Sequence, residues 1–149
     1  QEWLRTGAVL LAVAGLFDFF DGALARLAGQ VTPFGAFLHS VVDRYSDLIV
    51  LLGIVLLFDR TGDRLGLLVT LAAIVGTMMV SYTKARAQSI GVPCEIGLME
   101  RPERLIGLIA GAAFNVLVPM MIVLAVLTNV TALQRIFYTR RAARSTSLR

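Results

Sequence analysis

The sequence predicts an all-α integral membrane protein that forms a single domain over residues 1–149. Of its 149 residues, 57% are hydrophobic and the mean hydropathy is +0.78, which is unusual for a soluble domain. Residues 65–80 carry no charge, and neither does any residue from 105 to 133. Because a membrane-spanning helix needs roughly 20 apolar residues, these uncharged runs predict several spans.

About five transmembrane helices are expected, separated by residues that favour turns. Pro33 interrupts the chain after the first span, and Gly62 is the expected reversal point of the charged turn at residues 59–64. A loop at residues 88–99 contains glycine and proline and ends the third span. The predicted spans are residues 6–28, 34–58, 65–87, 102–115 and 119–138.

The uncharged run at residues 105–133 could form one helix kinked at Pro119, or two helices joined by a turn near residues 115–119. Two helices explain the charges better, because the arginine-rich end of the chain then lies on the same side as most other basic residues. From Tyr138 onward, the chain is expected to be a frayed, basic tail on the membrane surface.

The basic residues are distributed unevenly across the predicted membrane. With five spans, eleven of the 14 Lys and Arg residues fall on one side, and only Arg5, Arg60 and Arg64 fall on the other. The positive-inside rule places the basic side in the cytoplasm, so we expect a multi-pass protein of the cytoplasmic (inner) membrane. Topology and attraction to anionic lipids explain the net charge of +4, and no nucleic-acid partner is expected.

Two simpler features concern the chain as a whole. Cys94 is the single cysteine, which excludes an internal disulfide, and no secretory signal is visible. The sequence begins with Gln1 rather than Met, so we expect that an N-terminal part precedes it.

Four carboxylates lie in otherwise apolar sequence: Asp18 and Asp21 in the first span, and Asp43 and Asp47 in the second. Ionised groups inside a membrane are costly and mark functional sites, and a divalent cation neutralises several of them at once. Helical spacing places Asp18 and Asp21 on one face, and His39, Asp43 and Asp47 on a stripe of the next helix. If the two spans pack antiparallel, they form a site for Mg²⁺ or Mn²⁺, which His39 would shift toward a softer ion.

Structural roles remain open for part of this set. Asp47 could pair with Arg44 or Arg26, and His39 could be an ordinary hydrogen-bonding residue. A purely structural role is the weaker explanation for the other three carboxylates together.

A second cluster is basic. Lys84 and Arg86 end the third span, and Arg101 and Arg104 begin the fourth, on the same side as the carboxylates. A phosphate bound there would receive charge-assisted hydrogen bonds, and the helix N-terminus near Arg104 would add its dipole. The alternative is ordinary flanking charge, in which neighbouring glutamates pair with the arginines.

Residues 18–43 resemble the CDP-alcohol phosphotransferase family of membrane enzymes, whose motif is D-x-x-D-G-x-x-A-R, a spacer, and G-x-x-x-D-x-x-x-D. The residues that match the motif are Asp18, Asp21, Gly22, Ala25, Arg26, Gly35 and Asp43. Residues 81–87, residues 100–105 and the pair at 134–135 are similar to the phosphatidylinositol-phosphate synthase branch. The resemblance therefore covers most of the chain.

The resemblance implies a bundle of six transmembrane helices, usually a homodimer, with a cavity that faces the cytoplasm. The implied reaction moves a phosphatidyl group from CDP-diacylglycerol to an alcohol acceptor and releases CMP. In this branch the acceptor is a phosphorylated polyol, inositol phosphate. Two divalent cations, Mg²⁺ or Mn²⁺, are implied to hold the pyrophosphate of the donor.

The resemblance also implies a role for each matching residue. The fourth carboxylate of the motif corresponds to Asp43, the proposed general base for the acceptor hydroxyl. The implied metal ligands are Asp18, Asp21, His39 and Asp43. The implied nucleotide-binding residues are Asp18, Asp21, Gly22, Ala25 and Arg26, and the implied residues for the acceptor's phosphate are Lys84, Arg104 and Arg135.

The chain departs from the family pattern at two points. His39 stands where the third Asp is expected, and an imidazole can bind a metal but brings no negative charge. We therefore expect weaker Mg²⁺ binding, a preference for Mn²⁺ or Zn²⁺, or an inactive protein. The second departure is the family's first helix, which contributes to the nucleotide site and is expected to be missing from this sequence.

Three functions compete on this evidence. The leading one is the transferase, with inositol phosphate as acceptor and glycerol 3-phosphate or unphosphorylated inositol as other candidates. The second is a CDP-lipid-binding protein that His39 has inactivated. The third is a cation transporter, which is the weakest because the polar residues lie at only one end of each span.

Overall fold

The computed structural model is a bundle of five helices. It describes residues 2–27 and 32–146, with the backbone alone at residues 2, 3, 14, 18–27, 145 and 146. The helices are α1 (Glu2–Leu27), α2 (Pro33–Thr61), α3 (Arg64–Ser89), α4 (Arg101–Ala113) and α5 (Leu117–Thr146). No strand occurs within those ranges, so the all-helical fold class and the five helices are confirmed.

Local sequence explains where α2 begins and ends. Thr32 precedes it, and its Oγ1 accepts a hydrogen bond from the backbone N–H of Gly35 at 3.0 Å, while Pro33 occupies the first turn, where its missing N–H costs nothing. Gly62 follows the helix with a φ of 71°, a left-handed conformation that glycine adopts without strain. The predicted reversal point at Gly62 is confirmed.

The long uncharged run forms two helices, as predicted. α4 ends at Ala113 and α5 begins at Leu117. Between them Asn115 has a φ of 57°, a conformation that asparagine tolerates better than most residues. The chain therefore turns back before Pro119, which lies in the first turn of α5.

The bundle is built from four directly packed helix pairs among the described residues: α3 with α5, α1 with α4, α2 with α3, and α4 with α5. The α3–α5 pair is the most extensive. At Gly76 an added Cβ would meet the side chain of Thr128 and would lie 2.7 Å from Nδ2 of Asn129. Small residues of this kind let helices approach closely inside a membrane.

Apolar side chains occupy both the core and the outer surface. The core includes Leu51, Met121 and Leu124, whereas Phe37 and Ile49 of α2 are more than half exposed. Two of the described helices, α3 and the greater part of α5, are long and apolar enough to cross a membrane. These features indicate a membrane protein whose outer surface suits lipid.

The C-terminal end differs from the prediction. A frayed tail was expected from Tyr138, but α5 continues to Thr146. The extension is rich in arginine and alanine, which favour helices. Ala142 packs beside a small buried cluster formed by Ala87, Val92 and Cys94, so tertiary contact also holds the last turns.

The arrangement of α1 and α2 is antiparallel, as predicted, but the two helices do not pack directly against each other over the described residues. Instead they line shared cavities: Gly15 of α1 accompanies Asp43 at one level, and Leu4 accompanies Ile54 at another. The space between them is therefore available to a ligand.

Candidate active site

Two adjoining cavities lie between the helices. One, of about 140 Å³, is largely apolar and is bounded by Leu11 and Gly15 of α1 together with residues of α2, α3, α4 and α5. The other, of about 190 Å³, is lined by polar and charged residues of α2, α3, α4 and α5. Both cavities share four charged residues, namely Asp43, Asp47, Arg101 and Arg104.

These four residues form a charged wall between α2 and α4. Arg101 Nη1 lies 2.8 Å from Asp43 Oδ1, and Arg101 Nε lies 3.6 Å from Asp47 Oδ1. Arg104 Nη2 lies 2.7 Å from Asp47 Oδ2. Positions 43 and 47 are one helical turn apart on α2, and positions 101 and 104 are nearly one turn apart on α4, so charges alternate along the wall.

Arg104 is the most deeply buried member of the wall, with 7% of its side chain exposed. Its Nη2 donates a hydrogen bond to Asp47, whereas its Nη1 is buried and has no hydrogen-bond partner within the described part of the chain. A buried donor without a partner is costly. Because Arg104 lines both cavities, an anionic ligand that reached Nη1 would supply the missing partner.

The far side of the polar cavity contains Lys84, Glu100 and Arg135. Glu100 Oε1 lies 3.4 Å from Lys84 Nζ and 2.8 Å from Arg135 Nη2. Arg135 also donates from Nε to the carbonyl oxygen of Ile96 and from Nη1 to that of Val80, each at 2.7 Å. Each nitrogen of Arg135 therefore already donates to a protein oxygen, and this residue joins α3, α5 and the loop before α4.

His39 lies near Asp43 but is more exposed. Its Nδ1 is 3.8 Å from Asp43 Oδ1, and half of its side chain is exposed against 14% for Asp43. One carboxylate and one imidazole, one turn apart, form a mixed oxygen and nitrogen donor pair that Mn²⁺ or Zn²⁺ accepts readily. The described residues thus fit part of a divalent metal site.

The rest of the predicted metal and nucleotide set lies on α1. Its residues are Asp18, Asp21, Gly22, Ala25 and Arg26, and beyond their helical backbone they lie outside the described residues. Within the described residues, no three His, Cys, Asp or Glu side chains gather into a metal-binding group. The full metal set therefore remains a prediction that requires α1.

Some of the contacts could not be foreseen from the sequence. Pairing of Asp47 with Arg44 or Arg26 was one possibility, and the structure shows Asp47 paired with Arg104 and Arg101. Arg44 donates to the backbone oxygen and the hydroxyl of Ser40, and the side chain of Arg26 lies outside the described part of the chain. The sequence did contain one signal for these ion pairs, namely that the acidic residues on α2 and the basic residues on α4 have matching spacing.

The chain was compared with known proteins. Residues 1–136 match the family model described as CDP-alcohol phosphatidyltransferase. An archaetidylinositol phosphate synthase of Methanothermobacter thermautotrophicus is 43% identical over 141 residues, which cover 91% of this chain and 70% of that protein. A phosphatidylinositol phosphate synthase of Mycobacteroides abscessus is 39% identical, with 90% of this chain and 64% of the relative covered.

Solved structures give the same result. The crystal structure of Mycobacterium tuberculosis phosphatidylinositol phosphate synthase with CDP-DAG bound is 36% identical and superposes with a TM-score of 0.84, covering 91% of this chain and 73% of that one. The same enzyme in complex with manganese and citrate gives a TM-score of 0.81, with 91% and 70% covered. Identity and fold agree over nearly the whole chain.

Proposed function

Because the chain belongs to the CDP-alcohol phosphatidyltransferase family, we propose that it transfers a phosphatidyl group from CDP-diacylglycerol to inositol phosphate and releases CMP. The family is one of phosphotransferase enzymes. The polar cavity carries the choice of acceptor, because Lys84 and Arg104 line it beside Asp43. Nη1 of Arg104 is buried and has no hydrogen-bond partner among the described residues. The relatives named as inositol phosphate synthases support the same choice.

Asp43 is the proposed general base. It lines both cavities, and 14% of its side chain is exposed. The acceptor hydroxyl attacks the phosphorus that carries the diacylglycerol, its proton passes to the carboxylate, and the bond from that phosphorus to the bridging oxygen of CMP breaks. Arg101, whose Nη1 lies 2.8 Å from Asp43 Oδ1, is proposed to hold the carboxylate in place.

The acceptor's phosphate is proposed to bind at Lys84 and Arg104, with Arg135 behind them. Lys84 Nζ is only loosely held, at 3.4 Å from Glu100, and can turn to a phosphate oxygen. Arg104 offers its buried Nη1 in a fixed direction. Arg135 is committed to protein oxygens, so its contribution is mainly its charge and its support of Glu100.

Two divalent cations are proposed to be held by Asp18, Asp21, His39 and Asp43. The bound cations would supply positive charge that stabilises the negative charge on the departing CMP. The manganese complex of the similar mycobacterial enzyme supports divalent metal dependence. His39 replaces a carboxylate of the motif, so we propose Mn²⁺ as the better ion and Mg²⁺ as the weaker one.

The nucleotide of the donor is proposed to lie along α1, at Gly22, Ala25 and Arg26. Its lipid chains would extend toward the apolar cavity and the bilayer. We further propose that the enzyme is a homodimer of the cytoplasmic membrane with its polar cavity facing the cytoplasm, since the basic residues concentrate on that side.

The test is CMP release from CDP-diacylglycerol by the purified protein in detergent. Release should require both a divalent cation and myo-inositol phosphate, with Mn²⁺ above Mg²⁺. Glycerol 3-phosphate and unphosphorylated inositol serve as competing acceptors. Equal release with unphosphorylated inositol would contradict the role of the basic pocket, because its buried cations would then gain nothing from the phosphate.

A second function rests on one observation, the imidazole of His39 in place of a motif carboxylate. If the metal site is thereby inactive, the protein binds CDP-diacylglycerol without turnover. The change His39→Asp should then create CMP release where the unmodified protein shows none. Release by the unmodified protein would exclude this alternative.

A further inference from the structure

Asp47 lies one turn beyond Asp43 and outside the family motif, yet it contacts Arg104 of the proposed acceptor pocket and the neighbouring Arg101. Its Oδ2 is 2.7 Å from Arg104 Nη2, and its Oδ1 is 3.6 Å from Arg101 Nε. Arg101 in turn contacts Asp43 at 2.8 Å. One carboxylate thus contacts both the arginine beside the proposed base and the arginine proposed to bind the acceptor.

The burial of this contact gives it a directing role. Arg104 is 7% exposed at its side chain and Asp47 is 20% exposed, so the guanidinium has lost most of its hydration and depends on a charged partner. A guanidinium is planar and rigid. Holding Nη2 of Arg104 on Asp47 therefore also fixes the direction of Nη1, which is buried without a partner in the described chain.

α2 and α4 share the hydrophobic core through Leu51 and Leu108, but among the described residues their backbones are not in close contact. At the level of Asp47 the wall of ion pairs links the side chains of the two helices. Without the Asp47 carboxylate, Arg104 would keep its position on α4 but lose the contact that orients its side chain toward the cavity.

We propose that Asp47 is a positioning residue that orients Arg104 for the phosphate of the acceptor and does not itself touch the reacting atoms. This inference rests on the proposed function, because it assigns an acceptor phosphate to Arg104. The proposal gives Asp47 and Asp43 different roles. The loss of Asp47 should weaken acceptor binding, whereas the loss of Asp43 should slow the chemical step.

The first test is the isosteric change Asp47→Asn, with Asp59→Asn as the matched control. Asp59 is an exposed aspartate of the same helix. Misdirecting one charge-assisted hydrogen bond should raise the KM for inositol phosphate about 10- to 100-fold, with the KM for CDP-diacylglycerol changed less than about twofold. Asp47→Glu should recover part of the loss, and Asp59→Asn should match the unmodified protein.

A double-mutant cycle with Arg104→Gln provides a readout that a merely structural role would not move. If Asp47 acts through Arg104, the double variant should bind the acceptor no more weakly than Arg104→Gln alone. If the two substitutions instead weaken acceptor binding independently, so that their fold losses multiply in the double variant, the proposal is wrong. Equal increases in the KM values of donor and acceptor, or a fall in kcat with both KM values unchanged, would overturn it as well.

Thermal unfolding in the presence of inorganic phosphate is an independent test that does not require turnover. Phosphate should raise the thermal unfolding midpoint of the unmodified protein and of Asp59→Asn, but not that of Asp47→Asn. Protection of this kind without any inositol-phosphate-dependent CMP release would support the positioning role while the proposed function fails. Equal protection of Asp47→Asn and the unmodified protein would overturn the positioning role, whichever acceptor the enzyme uses.

Discussion

Replacing Arg135 by lysine should lower the free energy of unfolding, even though lysine keeps the positive charge. Arg135 is 1% exposed, and its nitrogens donate to three oxygens: that of Ile96 from Nε, that of Val80 from Nη1 and that of Glu100 from Nη2. Lysine keeps the positive charge but has a single nitrogen. It cannot reach all three oxygens, which lie on different parts of the chain.

The magnitude follows from these contacts. A hydrogen bond to a charged group contributes about 1.5–3 kcal/mol, and lysine would keep one of the three. The loss of two such bonds should therefore lower the unfolding free energy of Arg135→Lys by about 3–6 kcal/mol. For a chain of this size, 1 kcal/mol corresponds to about 2–4 °C, and the midpoint should fall by about 6–24 °C.

The assay is thermal unfolding in detergent, followed by helical circular dichroism. Lys84→Gln is the control, because Lys84 contacts the same glutamate but only at 3.4 Å and with a third of its side chain exposed. Such a pair contributes less than about 1 kcal/mol, so its loss should shift the midpoint by no more than a few degrees. If Arg135→Lys unfolds within about 2 °C of the unmodified protein, the structural role assigned to Arg135 is wrong.

Three further predictions concern catalysis, metal choice and the loop before α4. Asp43→Asn should slow CMP release about 10²- to 10⁴-fold while CDP-diacylglycerol still binds, and an unchanged rate would exclude Asp43 as the base. His39→Asp adds one negative charge and should increase Mg²⁺ affinity relative to Mn²⁺ in calorimetric titrations of the purified protein, whereas an unchanged ratio would place His39 outside the metal site. Gly97→Ala should lower the unfolding midpoint, because Gly97 has a φ of 146° and its added Cβ would lie 2.6 Å from Thr131 Cγ2; an unchanged midpoint would mean that the loop can shift.

The fold was largely predictable because its signals are local. Uncharged runs identified the long helices, and Gly62 marked the turn between α2 and α3. The division of residues 105–133 followed from the side on which the arginines should lie. The extension of α5 was missed because a basic, polar segment gives no hydrophobic signal, and its last turns depend on packing of Ala142 near Cys94.

The site was predictable where a motif names the residues, but its contacts were not. Asp43 and Arg104 were singled out by motif and position, and the structure places both on the shared wall of the two cavities. The sequence suggested only nearby arginines as possible partners for Asp47, whereas Arg104, which pairs with it in the structure, is 57 residues away. Long-range pairing depends on how α2 and α4 are placed, which a single sequence does not specify.

The balance of charge around the polar cavity explains why the acceptor and the donor would bind in different ways. Among the described residues, five cations and three carboxylates line it, the cations being Arg44, Lys84, Arg101, Arg104 and Arg135. Because Asp47 and Glu100 are already matched by arginines, the excess is positive and favours an anionic acceptor. The motif carboxylates of α1 would instead require bound cations. A phosphorylated acceptor would thus complement the described cavity directly, whereas the donor pyrophosphate would need metal ions to approach the acidic motif, and Asp43 is proposed to serve both substrates.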